Sequence, residues 1–169
     1  MNRKIHQFLA EDHSRLDDLL AQAMQNPDHI DLEIYHQLRT GLLKHIKMEE
    51  KILFPAARNA NGDVPIPLAA KLRLDHGALT MLMLLTPTKQ IVNAVTFILT
   101  QHDELEEQDG GMYDICENLT ENETEEILER LRTVGELPVH PYNDSENAVQ
   151  SVKNALQRAG FDYDELMKG

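Results

Sequence analysis

Two stretches decide how this chain is read: His45-Ile46-Lys47-Met48-Glu49-Glu50 and His102-Asp103-Glu104-Leu105-Glu106-Glu107. Each places a glutamate four residues after a histidine, with a second glutamate directly behind it. Residues four apart share one helix face, one turn above the other. His45 with Glu49, and His102 with Glu106, therefore address a common point beside their helix. Each stretch also follows an Asp-His pair. His13 of Asp12-His13 precedes His45 by 32 residues (45 − 13), and His76 of Asp75-His76 precedes His102 by 26 (102 − 76). Both separations suit two helices lying side by side and joined by a short loop.

The residues around these histidines predict the helices that carry them. Ile5, Phe8, Leu9, Leu16, Leu19, Leu20 and Ala23 recur at three-and-four spacing over residues 3–25. A second helix is expected over 31–58, stopping or kinking at Phe54-Pro55, where an interior proline removes a donor and crowds the previous turn. A third is expected over 67–86 after Pro65 and Pro67, and a fourth over 88–108, before Gly110-Gly111. The fold class is all-α: an up-down-up-down four-helix bundle with additional short C-terminal helices packed on it. The expected domains are 1–118, the four-helix bundle, and 119–169, a helical extension. In that extension Thr120-Glu121-Asn122-Glu123 fits a capping box opening a helix to about 134. Leu137-Pro138-Val139-His140-Pro141 must be extended, and a last amphipathic helix over 145–159 ends at Gly160.

All four histidines lie on apolar stripes. His13 has Leu9, Leu16 and Leu20 at helical spacing; His45 has Leu38, Leu42, Ile52 and Leu53. His76 has Leu72, Leu79 and Met83; His102 has Val95, Ile98, Leu99 and Leu105. Burying such groups unpaired costs several kcal/mol each, so something must compensate. For one histidine, a hydrogen-bonded polar network or an edge position suffices. For four of them, with two identical His-x3-Glu pairs, a metal is the better explanation, because cations offset carboxylate desolvation and use imidazole lone pairs. Zinc normally settles for three or four ligands. Four imidazoles and two carboxylates suit a pair of first-row ions.

On these residues the sequence resembles the hemerythrin-like family of HHE cation-binding domains, over about residues 5–118. The resemblance implies a non-haem di-iron centre of two iron ions, with His13, His45, His76 and His102 as terminal ligands and Glu49 and Glu106 as bridges. Glu107 and Asp109 are alternative carboxylates on the fourth helix. The family implies a protein that binds or senses oxygen, nitric oxide or iron. The alternatives are a di-iron enzyme (oxidase, peroxidase, nitric oxide reductase or iron–sulfur repair type) and a structural metal-binding interaction module. Oxygen carriers place a second histidine four residues before the one corresponding to His76, where this chain has Leu72. That departure implies a more open site and argues against reversible oxygen carriage.

Composition narrows the partners. The 169 residues hold 16 Lys+Arg against 29 Asp+Glu, a net charge of −13, which repels nucleic acid and anionic membranes. The single Cys116 excludes an intramolecular disulfide and a multi-cysteine cluster. No apolar run approaches the length of a membrane span, and the N-terminus turns acidic too soon for a secretory signal, so a cytoplasmic protein is expected. Its partner is a small diatomic ligand, with a homo-oligomer left open. Among the other candidates, His6 reads as an edge histidine and His29, His36 and His140 as surface residues. Asp12 and Asp75 have the chemistry to support the ligand histidines, but they point about 100° away from the ones they precede, which favours solvated carboxylates. Asp17, one turn after His13, has the phase to hydrogen-bond it, and Cys116 reads as a core filler.

Overall fold

A computed structural model describes residues 2–169. All regular secondary structure among the described residues is helical, with no strand. The long helices are α1 (Lys4–Ala23), α2 (Leu32–Met48), α4 (Pro67–Leu82) and α5 (Lys89–Glu107). Their starts follow local chemistry. Asp31 accepts hydrogen bonds from the Glu33 and Ile34 amides ahead of α2, Thr88 accepts from Ile91 ahead of α5, and Pro67 occupies the first turn of α4.

The expected break at Phe54-Pro55 takes a different form. The helical run continues past α2 through a π turn, Glu49–Leu53, into α3 (Phe54–Ala60). In that turn the Phe54 amide reaches back five residues to the Glu49 carbonyl. A proline lacks its own amide and crowds the carbonyl four residues back, and the wider turn absorbs this without ending the helix. π turns recur at functional sites, and this one begins at Glu49.

Two apolar clusters hold the helices together. One gathers Leu16, Leu20, Leu38, Leu42, Leu79, Leu82, Val95, Ile98 and Leu99. The other gathers Ile5, Leu9, Leu53, Phe54, Leu72, Met112 and Tyr113. Along each long helix the histidine falls where one cluster gives way to the other: His13 between Leu9 and Leu16, His76 between Leu72 and Leu79. The polar site is thus a slab between two dry regions.

The C-terminal segments complete both clusters. After Gly110-Gly111 the chain re-enters α6 (Met112–Leu119). A 3-10 turn (Glu121–Glu123) leads to α7 (Thr124–Arg132), whose Ile127, Leu128 and Leu131 join the second cluster. The capping box does not form: the Thr120 hydroxyl donates back to the Cys116 carbonyl, and the 3-10 turn replaces the reciprocal cap. The proline-bearing stretch is non-helical, as expected. Helix α8 (Glu146–Ala159), capped by Ser145 and ended by Gly160 at φ 91°, packs on α4 through Val152 and Leu156. A short α9 (Tyr163–Leu166), which the sequence reading did not anticipate, follows an Asp162 cap.

Candidate metal centre

The six residues singled out from the sequence converge. His13, His45, His76 and His102 are 2–4 % exposed, and Glu49 and Glu106 are fully buried. They form two groups that share both carboxylates: His13, His45, Glu49 and Glu106, and Glu49, His76, His102 and Glu106. Within each group the donor atoms lie within 4.8 Å of one another. On the fourth long helix Glu106 is the carboxylate that enters the cluster. Glu107 turns to His13 Nδ1 at 2.5 Å, and Asp109 is exposed and pairs with Arg3.

The imidazoles are aimed by a closed ring of carboxylates. Asp12 on α1 holds His45 Nδ1 at 2.8 Å, and Glu50 of the π turn holds His76 Nδ1 at 2.9 Å. Asp75 on α4 holds His102 Nδ1 at 3.3 Å, and Glu107 on α5 closes the ring at His13. This overturns the reading of Asp12 and Asp75 as solvated. The rotation of about 100° that turns each away from its own neighbour points it at the histidine of the next helix, and Asp75 is only 2 % exposed. Asp17, although in phase with His13, does not bond to it; Asp17 is exposed and Glu107 serves His13. With Nδ1 engaged, each ring presents Nε2 to the centre, the arrangement by which histidine ligands are oriented in metal sites.

The central atoms are spaced as ligands are. His76 Nε2 and His102 Nε2 are 3.1 Å apart, His45 Nε2 is 3.2 Å from Glu49 Oε1, and His13 Nε2 is 3.3 Å from Glu106 Oε2. Two donors at right angles about an ion with bonds of about 2.1 Å are about 3.0 Å apart. Glu49 Oε2 and Glu106 Oε1 are buried without a hydrogen-bond partner, although His76 and His102 stand 3.0 and 3.1 Å away. Unpaired buried carboxylate oxygens are costly, and a cation between them and the imidazoles relieves that cost. The residues present fit a pair of metal ions.

Electrostatics agree. Burial disfavours a charged imidazole, but Glu106, Glu107 and Asp103 outweigh it at His13 and raise its pKa to about 11. Burial is likewise outweighed at His102, raised to about 10 by Glu106 and Asp75, and at His76, raised to about 9 by Glu49 and Glu50. His45 moves up in the same way, through Glu49 and Asp12. Burial pushes Glu49 up, and burial and the Glu49 charge push Glu106 up, yet the imidazoles hold both carboxyls below the usual range. In the metal-free centre these shifts favour protonated imidazoles beside ionised carboxylates, and a cation would compete with protons for the same donor atoms.

Two groups at the centre escaped the sequence reading. The Tyr113 hydroxyl reaches in from α6, beyond the glycines that interrupt the fourth long helix. Its number is in helical phase with Glu106, seven residues before it, and with His102, eleven before it, but Gly110-Gly111 break the helix between them, so the phase carries across only because of how the chain turns there. That turn is tight: a Cβ on Gly111 would lie 2.7–2.8 Å from the carbonyl oxygens of Leu105, Glu106 and Gln108. Asp103 Oδ1 lies 3.5 Å from His13 Nε2, buried and without a hydrogen-bond partner. Burial and the Glu106 charge lift the Asp103 pKa to about 6 against the pull of His13. His6, expected at an edge, is 9 % exposed; its Nδ1 meets Asp114 at 2.9 Å and its ring packs edge-on to Tyr113. Cys116 is a buried core residue, its thiol pushed up by burial. His29, His36 and His140 are exposed.

Among the described residues no helix is long and apolar enough to cross a membrane. Neither the curated proteins nor the solved structures gave a match to this chain. A family model did: the one described as the hemerythrin HHE cation binding domain matches residues 4–88, which include His13, His45, Glu49 and His76. With that match over half of the chain, and with histidine and glutamate groups that can hold metal, this is a helical metal-binding protein of the hemerythrin family.

Proposed function

We propose that this protein holds a non-haem di-iron centre and uses it to bind or sense a small molecule, oxygen or nitric oxide, or iron itself. The observation that carries the reading is the sharing of Glu49 and Glu106 between two buried histidine pairs. One pair, His13 and His45, and the other, His76 and His102, would each hold one ion, with both carboxylates between them. Two iron ions there supply redox chemistry and coordination positions for a diatomic ligand. The protein's own part is to aim four Nε2 atoms inward through Asp12, Glu50, Asp75 and Glu107, and to keep the slab dry between its two apolar clusters. We place it in the cytoplasm.

The test is metal analysis of protein made in iron-supplemented cells, with absorption spectra under argon, air and nitric oxide. Two irons per chain and a spectrum that responds to oxygen or nitric oxide are expected. Protein that takes up no iron, or takes up two irons whose spectrum ignores both gases, overturns the reading. Rapid catalytic consumption of nitric oxide or peroxide would make the protein an enzyme rather than a sensor.

A further inference from the structure

The two halves of the centre are not equivalent. The Tyr113 hydroxyl lies 2.6 Å from Glu49 Oε1, 3.0 Å from Glu106 Oε2, 3.0 Å from His13 Nε2 and 3.2 Å from His45 Nε2. Those are the four donors of one metal group and no others. A phenol has one hydrogen to donate, and here two carboxylates and two imidazoles crowd the same oxygen. Every one of the four distances falls near the spacing of about 3.0 Å expected between adjacent ligands on one ion. The side chain is fully buried and held in place: the His13 ring stacks on it, the His6 ring meets its edge, and Asp114 fixes His6. Among the described residues the other half has no such oxygen. There Phe54 stacks on His76, and the residue one turn before His76 is Leu72.

We propose that Tyr113 is a phenolate ligand of the ion held between His13 and His45, and that exogenous small ligands are therefore received at the ion between His76 and His102. This rests on the di-iron reading above. When a ferric ion binds, the Tyr113 O–H bond breaks and the oxygen keeps its electron pair to form the bond to iron. The proton leaves to solvent, and no oxidation state changes. The centre then differs from the one the sequence implied, being less open at the ion between His13 and His45.

The experiment uses the full-length protein loaded with iron, counted by metal analysis and oxidised to the ferric state. A visible phenolate-to-iron charge-transfer band is expected, with phenolate ring vibrations enhanced in the resonance Raman spectrum. Tyr113→Phe should lose both while keeping two irons and its helical circular dichroism. Azide, a small anionic probe, should bind once per wild-type chain and twice per Tyr113→Phe chain. Two irons without phenolate vibrations in the wild type overturn the proposal and leave the di-iron reading standing. So does one iron in the wild type against two in Tyr113→Phe, which would mean that the hydroxyl blocks the ion's place. Two azides on the wild type overturn the assignment of the open ion. No iron in either protein overturns the di-iron reading and this inference with it. The wild-type measurements decide the matter even if the variant does not fold.

Discussion

Asp12→Asn is the most discriminating single change to the carboxylate ring. Asp12 Oδ2 accepts from His45 Nδ1 at 2.8 Å, and Oδ1 accepts from Arg15 Nε at 2.8 Å. Asparagine keeps the shape and one acceptor oxygen but removes the charge. Hydrogen bonds to charged groups contribute about 1.5–3 kcal/mol and neutral ones about 0.5–1.5 kcal/mol, a difference of about 1.3 kcal/mol between the midpoints. That is about tenfold in affinity, the lower end of the about 10–100-fold range for partners of histidine ligands. Asp12→Ala removes the bond altogether and should approach the upper end. Because His45 belongs to one metal group, only one of the two ions should weaken, and Asp75→Asn should weaken the other through His102. Competition titration of cobalt(II) or anaerobic iron(II) against a chelator reads each step, with exposed Asp18→Asn as control. Unchanged affinity for both ions in Asp12→Asn and Asp12→Ala would refute the claim that the ring aims and charges the imidazoles.

Other outcomes follow from the same geometry. His45→Ala and His102→Ala should each cost about one metal equivalent by elemental analysis, while exposed His36→Ala should cost none. Chelation from a thousandfold excess over Kd removes about 4 kcal/mol of stabilisation, a fall in Tm of about 8–16 °C for a chain of this size. Helicity by circular dichroism should survive, because both apolar clusters remain packed. In the metal-free protein the histidine pKa values of about 11, 10 and 9 stand above the unfolded value. The stability they contribute is therefore complete below about pH 6.5 and lost as pH rises through about 9–11. Melting scans should show the metal-free protein weakening over that window, and metal uptake at pH 7 should release protons measurable in weakly buffered solution. Gly111→Ala drives a Cβ into three backbone carbonyls and should cost on the order of 2 kcal/mol, read by denaturant titration.

The sequence led to the helices and the six central residues because both signals are local: apolar spacing on one helix, and a histidine four residues from a carboxylate. It misjudged Asp12 and Asp75 because the direction of a side chain was weighed against its own helix alone. What they face is the adjacent helix, and that is a tertiary fact. Tyr113 was hidden for a related reason. Its approach depends on how sharply the chain turns at Gly110-Gly111, which no periodicity encodes. Pro55 was rightly seen as a disturbance, but its outcome, a widened turn beginning at Glu49, depends on the packing that keeps the helix going. Thr120 and Glu123 had the residue types for a cap, and the Cys116 carbonyl competed for the threonine hydroxyl.

The ring of Asp12, Glu50, Asp75 and Glu107 has a two-stroke grammar. A helix bearing Asp-His hands its carboxylate to the next helix, which hands its second glutamate onward, and two rounds return to the start. A single hairpin of this pattern leaves one donor and one acceptor dangling, and they are complementary. Two identical hairpins related by a half-turn would therefore satisfy each other and enclose the same ten side chains. The grammar is that of a self-pairing half, written twice in one chain and free to diverge everywhere the handover does not pass.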